Sequence, residues 1–271
     1  GGSEGGVAVG GSEGGVAVGE GPRAAALLVH GIGEHSGRYD HVGRFLAQRG
    51  HDVLAFDNRG HGQSGGRRGH VDRFSRFLDD VEDHVVERRQ LGLPVVLIGH
   101  SLGGLISATY VVEGRPAPDL LVLSAPALKA QVPAWQRRLA PVLSRLWPTA
   151  FVPSGIDGDL LSRDPEVQRA YLSDPLRVAG STAQLGQQIF ATMETTTADL
   201  GRITAVSGGL KVEATAPEVV GLGAIAVALC RSQPEEHQAQ RIEREQLEGR
   251  LAEAARRFLI GDSVLVPLVR P

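Results

Sequence analysis

The stretch Pro94-Val-Val-Leu-Ile-Gly-His-Ser-Leu-Gly-Gly104 constrains this chain more than any other. Val95 to Ile98 is an apolar run of the length of a buried strand, and Leu105 to Val112 continues as a helix. Between them, Gly99-His-Ser-Leu-Gly103 has the pattern G-x-S-x-G. A turn this tight strains its central residue, and side chains two positions to either side would clash, which explains the glycines. The turn lifts the Ser101 hydroxyl clear of a sheet and aims a helix N-terminus at it. Two readings follow. Ser101 is a nucleophile on a strand-to-helix elbow, or it is a bystander in a glycine-rich turn.

The surrounding chain repeats the strand-then-helix theme. Ala24 to His30 and Asp52 to Asp57 are apolar strands, each followed by a polar, glycine-containing loop. Val42, Phe45 and Leu46 lie at helical spacing before Gly50, and Val71, Phe74, Phe77, Leu78, Val81 and Val85 mark one face of a second helix. Asp119 to Ser124 is a further strand. Short apolar strands alternating with amphipathic helices predict a parallel sheet covered on both faces. Residues 127–200 break the alternation. There Trp135, Leu139, Val142, Leu143 and Leu146 share a helical face that Trp147-Pro148 ends, and Asp164 is an expected N-cap before Pro165. This helical insert is either ordinary packing or a lid whose apolar face lines an acyl-chain site.

The remaining properties narrow the function classes. A formal net charge of −3 leaves no footprint for nucleic acid or for an anionic membrane. The lone Cys230 excludes an internal disulfide framework and suits a reducing compartment. No apolar run approaches the ~18 residues of a membrane span, and no signal peptide is visible, so a cytoplasmic location is expected. The first residue is Gly and Met193 is the sole methionine, which suggests a fragment, a processed end or an artificial one. Residues 2–10 and 11–19 are one nonapeptide twice over, lacking the aspartate of calcium-binding nonapeptide repeats. A flexible lead-in over 1–21 is expected.

At His30-Gly-Ile-Gly-Glu-His-Ser-Gly-Arg-Tyr39, Asp57-Asn-Arg-Gly-His-Gly-Gln-Ser64, Gly99-His-Ser-Leu-Gly-Gly104, Leu123-Ser-Ala-Pro126, Leu161-Ser-Arg-Asp-Pro-Glu166 and Asp174-Pro-Leu176, the chain resembles the monoacylglycerol lipase and serine-aminopeptidase-like branch of the α/β-hydrolases. The likeness covers about residues 22–204. It implies an α/β-hydrolase fold, with an eight-stranded, mostly parallel central sheet, helices on both faces and a helical cap. The division it implies is a core over 22–126, a cap over 127–200 and an atypical segment over 201–271. The resemblance further implies serine-dependent hydrolysis of an acyl ester or lipid substrate such as a monoacylglycerol or lysophospholipid. It implies no metal and no organic cofactor, and transient contact of the cap with a lipid surface. A serine hydroxyl needs a base to activate it, and the tetrahedral intermediate needs two backbone N–H donors. One is the amide of Leu102, and by resemblance the other is the amide of Ile32. His30, His100 and the His61 loop are expected to stiffen loops through buried hydrogen bonds. Glu34, His35 and Arg38 either support their loop or touch a polar head group.

The resemblance ends near residue 204. In this fold the triad runs Ser, then Asp or Glu, then His, yet no aspartate stands between Asp199 and Asp262. Glu213, four residues before Pro217, is the candidate acid, although a solvated glutamate is the alternative. Eight of the nine histidines precede Ser101, so His237 is the candidate base by order. Residues 205–271 are a shifted or recombined reading frame, a fusion or a divergence, and the fold is expected to be altered at both ends. The apolar run 221–230 offers a replacement strand or a buried helix. A second functional reading is therefore a catalytically impaired hydrolase-fold protein that still binds acyl ligands.

Overall fold

A computed structural model describes residues 6–8, 22–129, 132–154, 164–200 and 225–229. The elements follow in the order β1 (Gly6–Ala8), β2 (Ala25–Val29), a 3₁₀ turn (Ser36–Tyr39), α1 (Asp40–Ala47), β3 (Asp52–Phe56), α2 (Ser75–Arg89), β4 (Val95–His100) and α3 (Leu102–Val112). After these come β5 (Leu120–Ser124), α4 (Ala134–Leu146), β6 (Phe151–Pro153), α5 (Pro165–Leu172), β7 (Gly180–Thr182), α6 (Ala183–Ala198) and β8 (Ile225–Leu229).

The main sheet has the order β1-β3-β2-β4-β5-β8. Its four central strands are parallel, with β2 lying between β3 and β4. Each parallel pair is joined by a helix-containing crossover, as parallel geometry demands. Because strand side chains alternate, one set of residues (Leu27, Val29, Leu54, Phe56, Val95, Leu97, Leu121 and Leu123) packs with α2, α3 and α6. The other set (Ala26, Leu28, Val53, Ala55, Val96 and Leu120) meets Val42 and Leu46 of α1. Burial on both faces explains why these strands read as continuous apolar runs. Among the described residues the sheet has six strands, where the resemblance implied eight.

Both edges are antiparallel. Gly6–Ala8, inside the lead-in expected to be flexible, pairs with Leu54 to Phe56 of β3. At the other edge, Ile225–Leu229 pairs along the whole of β5, from Leu120↔Leu229 to Ser124↔Ile225. The apolar run 221–230, open between strand and helix on sequence, is thus a strand over these five residues, and it covers the free edge of β5. Glu213 and His237 lie outside the described residues, as do residues 155–163.

The insert is layered. Leu185, Ile189 and Met193 of α6 join the core against α3. Outside them α4 packs on α6, and β6 pairs with β7 in a small second sheet. Trp135, Leu139, Val142 and Leu146 of α4 are exposed, with Trp135 at 63% and the following Trp147 at 62%. The expected face of α4 therefore exists in the expected register, but it points to solvent. Asp164 caps α5 as expected, its carboxylate accepting from the Glu166 N–H at 2.8 Å with Pro165 in the first turn. No helix among the described residues is long and apolar enough to cross a membrane.

Candidate active site

Ser101 lies where β4 turns into α3, at φ 53° and ψ −115°, in the left-handed region that non-glycine residues avoid. The strain is held from three sides. The Ser101 N–H donates to the Ser124 carbonyl at 3.0 Å, and the Ser101 carbonyl accepts from Leu105 N–H at 3.1 Å and Ala127 N–H at 2.9 Å. Residues 124–127 therefore pin the turn, and Ala125 within them is itself at φ 42°. The Ser101 side chain makes no capping bond to the helix, leaving its hydroxyl unused by α3. A Cβ on Gly99 would lie 2.3 Å from the Gly103 carbonyl, and one on Gly103 would lie 2.0 Å from the Val29 carbonyl. The expected clashes are real, and they come from close backbone approach.

The loop after β2 passes beside this turn: a Cβ on Gly31 would lie 3.1 Å from Ser101 Cβ. Its shape is set by one buried tautomer. The Asn58 N–H donates to His30 Nε2 at 2.9 Å, so the proton sits on Nδ1, which donates to the Gly31 carbonyl at 2.8 Å. The Glu34 N–H bonds the same carbonyl at 3.4 Å, and the Gly31 N–H donates to Glu34 Oε2 at 3.1 Å. Among the described residues all peptide bonds are trans. The Gly31 carbonyl and the Ile32 N–H therefore point in opposite directions, and fixing the first aims the second away from His30 and Glu34. Leu102 opens α3, where the first helical amides have no intrahelical partner.

The charged and imidazole groups around the turn are mostly occupied. Burial pushes the His30 pKa below its ordinary value, and both its nitrogens are bonded. Burial likewise lowers His61, to about 3; its ring meets His30 edge-on at 5.6 Å. His100 is lowered by burial against the pull of Glu34, and its Nδ1 bonds Ser124 Oγ at 3.1 Å. Burial would raise the Glu34 carboxyl, but nearby His100, the Tyr39 hydroxyl bond at 2.8 Å and Arg38 outweigh it and hold it low. Asp57 ties two loops to β3, accepting from Ser36 N–H at 2.6 Å and Gln63 N–H at 2.7 Å. Glu34, His35 and Arg38 each have a protein partner, as the loop-supporting alternative expects, and those of His35 and Arg38 include Asp174 at 2.7 Å and 3.9 Å.

The structure brings together Ser101, the first turn of α3 with Leu102, and the Gly31-Ile32-Gly33 loop. It does not reach the two remaining expected residues, Glu213 and His237. Among the described residues, no three His, Cys, Asp or Glu side chains cluster as metal ligands would. A cleft of about 320 Å³ opens beside α1 and β3, lined by Ser36, Tyr39, Asp40, Gly43, Val53 and Ala55, without Ser101. Sequence reasoning missed the pinning by residues 124–127 and the partnership of Asp174. Ser124 and Asp174 lay inside quoted motifs and Ala127 just beyond one, but a motif does not say which backbone its residues will touch.

A family model described as serine aminopeptidase, S33 (Hydrolase_4) matches residues 20–222. The chain is similar to the monoacylglycerol lipase of Mycolicibacterium smegmatis, with 40% identity over 57% of this chain and 56% of that protein. It is also similar to human monoglyceride lipase, with 38% identity over 57% of this chain and 52% of that protein. The chain spans about half the length of these curated relatives. Among solved structures, a Paleococcus ferrophilus monoacylglycerol lipase superposes with TM-score 0.60 at 36% identity, covering 66% of this chain and 70% of that one. A Saccharomyces cerevisiae monoglyceride lipase variant, at 24% identity and TM-score 0.58 over 65% of this chain and 61% of that one, shares the fold.

Proposed function

Because the chain belongs to the serine aminopeptidase S33 family, whose structural relatives here are α/β-hydrolases, we propose that it is a serine ester hydrolase acting on carboxylic esters of the monoacylglycerol or lysophospholipid class. The observation that carries this is Ser101 at φ 53° on a strand-to-helix turn, with its hydroxyl making no capping bond to α3 and the Gly31 loop packed beside it. In this reading the Ser101 hydroxyl attacks the ester carbonyl while a base takes its proton. The oxyanion that forms is held by the amides of Leu102 and Ile32, donors that cost no reorganisation because α3 and the trans Gly31-Ile32 peptide already hold them. The alcohol leaves with the proton, and water hydrolyses the acyl-enzyme by the same route in reverse. His237 and Glu213 are carried forward as candidate base and acid.

Residues 127–200 are proposed as the cap. The exposed Trp135, Leu139, Val142, Leu146 and Trp147, on a helix that also carries Arg137, Arg138 and Arg145 and no acidic residue, support transient contact with a lipid surface. A fluorophosphonate probe tests the central claim. It should label the folded chain at Ser101 and fail on Ser101→Ala; a folded chain that takes no label would sink the proposal.

One observation favours a second reading, an impaired hydrolase. All eight histidines before Ser101 in the chain belong to the described residues, and His30 has both ring nitrogens engaged. Losing a general base costs on the order of 10²–10⁴ in rate, so Ser101 and its amides alone would make a slow esterase. If His237→Ala abolishes ester turnover without unfolding the chain, the impaired reading is wrong.

A further inference from the structure

Ile32 stands between two glycines, the residues with the least torsional preference of their own. The aim of its amide must therefore be set by what grips Gly31 and Gly33. The Gly31 side is gripped from within the core, by His30 and Glu34. The Gly33 side is gripped from the insert. Its carbonyl accepts from Val178 N–H at 3.0 Å, and at φ 72° its backbone is so close that a Cβ would lie 2.4 Å from the Val178 carbonyl.

Side chains reinforce that second grip. His35 Nε2 meets Asp174 Oδ2 at 2.7 Å, with both side chains largely shielded from solvent, and Arg38 Nη1 lies 3.9 Å from the same oxygen. The other carboxylate oxygen accepts from Leu176 N–H at 2.9 Å, so Asp174 is itself locked to its own turn. Buried Tyr171, one turn of chain earlier, has the guanidinium groups of Arg38 and Arg177 over its ring, at 4.8 Å and 4.5 Å from its centre.

We propose that Asp174 is a positioning residue: through His35 it holds the Gly33 side of the loop, and so fixes the aim of the Ile32 amide from the helical insert. The proposal rests on the roles given above to Ser101 and Ile32. It makes the insert part of the oxyanion geometry rather than only a cover, and it predicts a defect in the chemical step.

The test uses the full chain with Asp174→Ala and Asp174→Asn. Four quantities are measured: the rate of fluorophosphonate labelling, kcat and KM for p-nitrophenyl butyrate, and amide hydrogen exchange in peptides covering 31–38 and α3. Outright loss of one oxyanion donor costs about 10²–10³, so a misaimed donor in Asp174→Ala should cost about tenfold to a hundredfold in kcat and labelling. KM should stay within about twofold, and exchange should quicken in 31–38 but not in α3. Asp174→Asn keeps an oxygen to accept the His35 N–H and should recover most of the rate. Labelling and kcat at the unsubstituted level in Asp174→Ala, or faster exchange spread evenly over the chain, would overturn the proposal. If the unsubstituted chain takes no label, the role of Ser101 fails. Exchange in 31–38 then decides alone: quickening upholds Asp174 as the holder of the loop, and no change refutes it.

Discussion

Ser101 shows how a single residue can be legible in type and illegible in support. The glycines around it announced a tight turn, and the 2.0 Å approach of a Gly103 Cβ to the Val29 carbonyl gives the reason in atoms. That contact is with backbone, which cannot swing aside. Gly103→Ala is therefore expected to destabilise the fold by about 3 kcal/mol, read as a lowered denaturant midpoint; an unchanged midpoint would mean the turn is looser than the structure has it. The buried histidines make a second residue-scale prediction. Burial lowers the pKa of His30, His61 and His100, with His61 near 3, while the unfolded chain takes up these protons near 6.5. Between the folded values and 6.5 the unfolded state holds more protons, so stability falls as pH drops through that window and returns as pH rises. The urea midpoint should be lower at about pH 5 than at about pH 7.5, and His61→Gln should flatten the difference. Histidine spacing could not reveal this, because the shifts come from burial against residues distant in sequence, such as Asn58 and His61 beside His30.

At the scale of elements, periodicity told which residues share a face but not what covers that face. The stripe Trp135, Leu139, Val142, Leu146 has the expected register, and nothing among the described residues packs over it. Leu139→Gln with Val142→Gln should thus leave unfolding within about 0.5 kcal/mol of the original, as surface changes usually do. Sedimentation with phospholipid vesicles should fall if the face meets lipid; equal sedimentation would remove that role from α4. Capping was more fully legible, because it is local. Asp164 and Pro165 announce the start of α5 by their own chemistry, and Asp164→Ala is expected to cost about 1 kcal/mol, measurable by thermal unfolding. The Val71 and Phe74 positions show the opposite case. They continue the apolar pattern of α2 and are buried, yet α2 starts only at Ser75, since burial period and helix boundary are separate properties.

For the whole molecule, the parallel centre was readable because β2, β3, β4 and β5 are buried on both faces and helix-containing segments join each to the next. The edges were not. Gly6–Ala8 carries no strand-like pattern, and Ile225–Leu229 fits strand or helix equally until β5 stands beside it. Removing residues 223–271 would bare the hydrogen-bonding edge of β5, and such edges recruit other chains. That shortened chain is expected to self-associate on size-exclusion chromatography where the full chain does not, and a monomer would show that β8 is dispensable. The bonds that hold Ser101 carry one more consequence. Its N–H and carbonyl are tied to Ser124 and Ala127, which lie more than twenty residues further along the chain, beyond α3 and at the end of β5. Bringing them together closes a loop, and that closure carries an entropic cost which the docked sheet must offset. A nascent or half-folded chain has no means of keeping the serine in its left-handed twist. The residue is then an ordinary, unstrained serine, without the backbone twist on which its proposed role depends.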